Sequence, residues 1–302
     1  MTTRRRFLSI SAAAVAFPSL SSAAPVYTWQ GVALGARATL RLAHPDAEAI
    51  CARVATEISR LEDIFSLYRP DSSLMQLNSA GRLDPPPFEL LECLSLAGAV
   101  HRASAGRFDP TIQPLWASYA EASVLGKLPT AEALSIAQAK TGWTHVHIDA
   151  SAIVLQTSMA LTLNGIAQGY IADRVAEMLT TEGLGTVLIN TGEFRAVGTH
   201  PDGHPWPVKL AGGGEVPLAA RALATSAPLG TTFDEAARVA HILDPRDGQP
   251  VKPVWREITI SAPSAALADA LSTTACLFQD RAAMAKFVQR FTDARIEAAS
   301  KG

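Results

Sequence analysis

The stretch Ala268-Asp269-Ala270-Leu271-Ser272-Thr273-Thr274 carries the densest chemistry in the chain. Asp269 and Thr273 lie four apart, so on a helix they share a face, with Ser272 beside them. One carboxylate and two hydroxyls form a hard oxygen set. Such a set suits Mg²⁺, which takes one or two protein carboxylates and completes its shell with phosphate and water. The same Asp also sits well without a metal, because the macrodipole favours a carboxylate in the first turns of a helix. A second stretch, LTLNGIAQGY over residues 161–170, reads as a strand ending at Leu163, a turn at Asn164-Gly165 and a helix start. Free backbone N–H groups at a helix start attract phosphate. Gly165 and Gly169 permit close approach of a ligand. The stretch is neither a Walker A loop nor GxGxxG, and a plain strand-to-helix turn accounts for it equally well.

Three further groups have usable chemistry. His241 to Gly248 (HILDPRDG) reads as an alternating strand running into a Pro/Asp/Gly turn. His241 can act as a general base or bind phosphate, although a strand histidine more often only satisfies hydrogen bonds. Gly106-Arg107-Phe108-Asp109-Pro110-Thr111 can present backbone groups to a ring system, or simply start a helix at Asp-Pro. Tyr68, in FSLYRPDS over residues 65–72, can stack on an aromatic ligand or cover the edge of the core. His145 and His147 share a strand face, but no third metal ligand lies near them in sequence. There is no G-x-S-x-G elbow of the serine hydrolases.

The elements that must position these groups are legible in outline. Two strands open the body of the chain, Tyr27–Ala33 and Arg37–Leu42. Pro45-Asp46 starts a helix, and Ile50, Val54, Ile58, Leu61 and Phe65 repeat at helical spacing. Gly81 and Pro85–Pro87 mark a loop. Helices are expected over Phe88–Ser104 and Thr111–Ala120 and from Thr130, followed by a hairpin of His145–Ile148 with Ile153–Gln156. A helix starts near Gly165, with Ile171, Val175, Met178 and Leu179 as its buried stripe and Gly183 as its stop. Strands are expected at Val187–Asn190, Phe194–Val197, Pro207–Leu210, Leu223–Ser226, Val239–Leu243 and Glu257–Ser261. Two helices, Ser264–Phe278 and Arg281–Phe291, close the chain. Strands and helices mix without βαβ alternation, which predicts an α+β fold with a mostly antiparallel sheet. No linker or repeat divides it, so a single domain is expected.

Composition narrows the class. The first residues, MTTRRRFL, match the twin-arginine export pattern, and an apolar run with small residues follows to Ala24. This predicts a signal peptide over 1–24, a mature domain over 25–302 and a periplasmic location. The apolar run is shorter than the ~20 residues a membrane span needs, so no stable membrane insertion of the mature chain is expected. The full chain carries a net charge of −2, and losing Arg4, Arg5 and Arg6 makes it −5. That argues against nucleic acid as the main partner. Cys51, Cys93 and Cys276 are odd in number and widely spaced, which predicts buried free thiols.

The blocks FSLYRPDSSLMQLN, GRFDPTIQPL, LTLNGIAQGYIAD, INTGEFRAVG, ATSAPLG, HILDPRDGQP and SAALADALSTTA, taken in order, resemble the ApbE family of FAD:protein FMN transferases. The resemblance covers about residues 30–290. It implies a flavin-trafficking α+β architecture related to the T-fold. It implies FAD and Mg²⁺ as ligands, and transfer of FMN to a Thr or Ser hydroxyl of an acceptor flavoprotein domain with release of AMP. By resemblance the metal ligands fall on Asp269, Thr273 and the carbonyl of Gly165, with Ser272 as a further candidate. The flavin contacts fall on Leu34, Tyr68, Phe108, Asp109, Pro110, Thr162, Gln168 and Leu243. His241 matches the histidine placed for proton transfer, and Asp269 is carried over as the second catalytic position. The chain departs from the common pattern at Thr162 (commonly Asp), Gln168 (commonly Lys or Glu), Thr191-Gly192 (commonly Gly-Gly) and Ser226-Ala227 (commonly Ser-Gly). NGIAQGY behind a twin-arginine leader resembles the NosX branch, which implies a NosR-like acceptor in nitrous oxide respiration. Two other activities stay open at this point. One is a non-catalytic periplasmic FAD carrier; the other is a Mg²⁺-dependent FAD pyrophosphatase.

Overall fold

The computed structural model describes residues 25–302. The expected signal peptide lies outside the described residues. Its elements in chain order begin with β1 (Tyr27–Ala33), β2 (Ala36–Leu42), α1 (Ala47–Phe65), α2 (Ser73–Ala80), β3 (Arg82–Leu83) and α3 (Phe88–Ala103). A 3₁₀ turn, Pro110–Ile112, leads into α4 (Gln113–Val124), then α5 (Ala131–Gln138), β4 (His147–Ile148), β5 (Ile153–Val154) and α6 (Ala167–Thr181). The second half holds β6 (Thr186–Asn190), β7 (Phe194–Gly198), β8 (Trp206–Lys209), β9 (Glu215–Leu218) and β10 (Ala222–Ser226). After it come β11 (Leu243–Asp244), β12 (Gln249–Pro250), β13 (Trp255–Ala262), α7 (Ala265–Ala275), α8 (Arg281–Val288) and β14 (Arg295–Lys301).

One seven-stranded sheet, ordered β1-β2-β6-β7-β10-β13-β14, organises the molecule. Every neighbouring pair in it is antiparallel. The fold is α+β, as the mixed order of elements predicts. Its residues alternate as a half-buried sheet requires: in β2, Ala38, Leu40 and Leu42 are buried. The interior strand β6, third in the sheet, differs, with Val187, Leu188 and Ile189 buried in succession. Val187 and Ile189 join the main core with α1, α3, α6 and α7, whereas Leu188 packs with Trp206, Val208, Val216 and Leu218 of the β8–β9 hairpin. Burial of successive residues means that both faces of β6 are covered.

The helices form where their ends are specified. The expected α1 stripe is buried at all five positions. Thr130, Ser264 and Asp280 each accept a backbone N–H from three residues on and so start α5, α7 and α8. The three cysteines are free and buried.

Several expectations need correction. α2 was not foreseen: Ser72 caps it through Met75 N (3.1 Å), and Gly81, at φ 71°, ends it. Residues 161–163 form no strand; they run as irregular backbone tied to Asn78, which receives Leu161 N (2.7 Å) and donates to Leu161 O (2.8 Å). Val239–Leu243 is likewise no strand, apart from an isolated bridge of Ala240 with Thr232 and the short β11. Its alternating residues line a folded loop instead. The chain ends not on a helix but on β14, paired along β13. β9 was also missed.

Candidate active site

A cavity of about 520 Å³ opens where loops from the sheet meet the starts of α6 and α7. Leu34, at the β1–β2 turn, donates its N–H to Glu62 of α1 (2.7 Å). That hydrogen bond fixes the turn over the cavity. Tyr68 follows α1 and stands 74% exposed at the mouth. Its backbone N–H is held by Ser66 Oγ (3.0 Å), so the loop is rigid while the ring is free. The Phe108-Asp109-Pro110 loop follows α3 and is joined to Thr162 by the bond from Thr162 N to Pro110 O (2.8 Å). Gln168, Leu243, Gly165, Thr273, Asp269 and His241 complete the convergence. Every metal, flavin and proton-transfer candidate carried over by the resemblance lines this one cavity except Ser272; Gly169, expected to admit a ligand, instead packs against α7.

Ser272 is fully buried behind the cavity wall. Its Oγ bonds Ser226 Oγ (2.7 Å) and donates to Asp269 O (3.1 Å), so it braces the helix and offers no oxygen to the cavity. Asp109 lines the cavity, but its carboxylate is spent on its own surroundings. It accepts Thr111 N (2.8 Å), Thr111 Oγ1 (2.6 Å) and Trp143 N (3.2 Å). What this loop can offer a ligand is the Phe108 ring and backbone groups.

The polar end of the cavity is built by a helix crossing. Gly169 lies against the start of α7: a Cβ added there would meet Ala265 O at 2.2 Å. Only glycine permits that approach. Asp173, one turn further along α6, accepts Ala265 N (2.8 Å) and Ala266 N (2.9 Å) and clamps the same junction. As a result Gly169 N donates to Asp269 Oδ2 (3.3 Å), and Gly165 sits against Thr273, whose Oγ1 would lie 3.2 Å from an added Cβ.

Glu193, in the β6–β7 turn, is a site residue that the sequence reasoning missed. It is 8% exposed, lines the cavity beside Asp269, and accepts one hydrogen bond, from Thr225 N (3.2 Å). Burial first, and then the Asp269 charge, pushes its carboxyl well above the usual range. Burial likewise raises Asp269, to about 7, against the opposing Gly169 N–H. The signal was available: an acid directly after Thr191-Gly192, at the tip of an apolar hairpin. Two buried carboxylates with one N–H bond apiece repel each other unless protonated or bridged by a cation. A threonine hydroxyl and a close-lying glycine backbone stand beside them. This hard oxygen set fits a divalent cation of the Mg²⁺ type. Among the described residues no group of three or more His, Cys, Asp or Glu that could hold a metal ion gathers.

His241 lines the same cavity. Its Nδ1 faces two carbonyls, Thr231 O (2.8 Å) and Pro228 O (3.2 Å). Carbonyl oxygens only accept, so Nδ1 carries the hydrogen and Nε2 keeps its lone pair. In the neutral imidazole the loop thereby sets the tautomer.

This arrangement agrees with the comparisons. The family profile described as "ApbE family" matches residues 34–298. The chain belongs to the ApbE family. It is 31% identical to an FAD:protein FMN transferase of Klebsiella pneumoniae, over 78% of this chain and 77% of the relative. It is 30% identical to an FAD:protein FMN transferase of Haemophilus influenzae, over 78% and 72%. The apo form of the flavinyl transferase ApbE of Pseudomonas stutzeri superimposes with a TM-score of 0.79 at 27% identity, covering 92% of both chains. The match confirms the expected single-domain α+β architecture. No helix among the described residues is long and apolar enough to cross a membrane.

Proposed function

We propose that this chain transfers FMN from FAD to a threonine or serine hydroxyl of an acceptor protein, releasing AMP. One observation carries the reading: His241, with a free Nε2, opens onto the same cavity as Thr273 and the paired acids Asp269 and Glu193. The activity named for the relatives supplies the substrate. Leu34, Tyr68, Phe108, Pro110, Thr162, Gln168 and Leu243 would wall the flavin, with Asp109 holding their loop. Asp269, Thr273 and the Gly165 carbonyl would hold Mg²⁺, with Glu193 as a second carboxylate. An ion held by these residues would supply charge neutralisation to the diphosphate and orientation to the phosphorus. His241 Nε2 takes the acceptor hydroxyl proton as the oxygen bonds to the phosphorus of the FMN half. The bond from that phosphorus to the bridging oxygen breaks, and AMP leaves with the electron pair.

The direct experiment incubates purified protein with FAD and Mg²⁺, with and without a candidate acceptor domain, and follows the products by mass spectrometry. Covalent FMN on the acceptor is expected. Free FMN and AMP irrespective of the acceptor would make the chain a pyrophosphatase; unchanged FAD would make it a carrier. Either overturns the transferase reading.

The Arg4-Arg5 leader supports export to the periplasm by the twin-arginine route. Changing Arg4 and Arg5 together to Lys should strand the precursor in the cytoplasm, and unimpaired export would refute this. The NosX-like pattern supports a NosR-like acceptor. Deleting the protein should leave that acceptor without covalent FMN; full flavinylation in a strain with no second family member would exclude it.

A further inference from the structure

The ionisable side chains lining the cavity are Tyr68, Arg107, Asp109, Glu193, His241 and Asp269. Asp109 is spent on its own loop, and Glu193 and Asp269 are acids. Arg107 is therefore the sole permanent cation among the described lining residues. Its nearest influential carboxylate, Asp244, is already taken by Arg246, which approaches it with Nε at 2.8 Å and again with Nη2. Arg107 forms one hydrogen bond, from Nη1 to Ser104 O (3.0 Å), and its Nε is buried with no partner. Burial and the neighbouring Arg246 both push its pKa down, with only Asp244 opposing them. The protein thus holds a cation here without neutralising it.

Its place is also informative. The guanidinium lies 4.5 Å over the ring of Phe278. Phe278 comes just after the helix that carries Asp269 and Thr273, and Leu277, one turn beyond Thr273, lines the same wall. Arg107 and the acidic end are therefore ranged along one helix, with opposite charge at its two stations. A diphosphate brings two negative charges into a cavity that already holds two acids. One divalent cation cannot offset them all.

We propose that Arg107 is an anion-binding residue of this cavity and contacts the diphosphate of the dinucleotide. The inference rests on FAD being the substrate. It assigns Arg107 to the charged middle of the ligand and not to the flavin ring. Nε is buried, but Nη2 makes no hydrogen bond among the described residues and is not buried, and a planar guanidinium with such a donor suits a phosphate oxygen.

The test compares two ligands on the purified protein by quenching of flavin fluorescence: FAD, and riboflavin, which has the ring but no phosphate. In Arg107→Met the stem still covers Phe278 but the charge is gone. FAD affinity should fall roughly ten- to a hundred-fold, as for loss of a hydrogen bond to a charged group. Riboflavin affinity should change less than about three-fold, because no charged contact is removed. Equal losses for both ligands, or none for FAD, would overturn the proposal. Should the Met variant fold poorly, Arg107→Lys keeps the charge and loses the fork, and its FAD affinity should fall between the two. A Lys variant that loses both ligands equally also overturns it. If the unaltered protein binds no FAD at all, the substrate reading fails instead, and the two failures are distinguishable.

Discussion

Replacing Asp269 with Asn should stabilise the metal-free protein at neutral pH and abolish its response to metal. Asp269 is 3% exposed, receives one N–H at 3.3 Å, and shares its cavity with Glu193. Burial lifts its pKa from 3.8 to about 7. The folded state therefore holds this proton more tightly than the unfolded chain does. The stability it contributes is complete below about pH 3.8 and is lost as pH rises through about 7. Holding an ionised carboxylate there costs on the order of a few kcal/mol, lowered by water in the cavity. Asn keeps an oxygen for Gly169 and carries no charge. It also removes the negative neighbour of Glu193. Urea unfolding in EDTA, followed by tryptophan fluorescence, should give matching stabilities at pH 4. At pH 8 the variant should be more stable by about 2–4 kcal/mol. Added Mg²⁺ at a hundred times its dissociation constant should then raise the unaltered protein by about 2.7 kcal/mol and the variant not at all. A variant no more stable than the parent at pH 8 in EDTA would refute the picture of an uncompensated buried acid pair.

Three other outcomes follow from the same geometry. His241→Ala should slow transfer by about 10²–10⁴-fold, as for loss of a general base, with FAD affinity little changed; a collapse in affinity at normal saturated turnover would make His241 a binding residue. Tyr68→Ala should weaken FAD binding by roughly 1–2 kcal/mol and leave the melting temperature of the free protein unmoved, because the ring is 74% exposed; an unchanged dissociation constant in fluorescence titration would place the ring outside the bound complex. Gly169→Ala should cost about 1–3 kcal/mol or more in denaturant unfolding, since the methyl would fall 2.2 Å from the Ala265 carbonyl, and it should blunt the response to Mg²⁺; a neutral variant would mean that α6 and α7 are free to separate.

What the sequence made legible was whatever depends on local periodicity and capping. The α1 stripe, Thr130, Ser264 and the alternation of β2 each declare themselves within a few residues. The convergence of Tyr68, Thr162, His241 and Asp269 on one cavity followed from ordered blocks matched to a family. Local pattern failed where tertiary contacts decide the backbone. Residues 161–163 look like a strand, yet the Asn78 side chain supplies the hydrogen bonds a sheet neighbour would give. Val239–Leu243 alternates convincingly, but His241 N bonds Thr231 O within a loop. Glu193 escaped notice because an acid at a hairpin tip is normally solvated. It is buried because the hairpin packs against α6 and β10. Ser272 points away from the cavity for a similar reason: Ser226, on a distant strand, takes its hydroxyl.

The cavity wall is drawn from Leu34 at one end of the chain to Leu277 near the other. The sheet beneath it pairs Leu40 with Ile189 and Ile258 with Ala299. Such long-range pairings form late and slowly, after loop closure has been overcome. Neither half of the chain carries all of the lining residues. A ligand seated there binds the assembled fold, so its binding energy acts against global unfolding. Occupancy of the cavity is accordingly a certificate of completed folding: a molecule that has captured its ligand has already joined its first strands to its last.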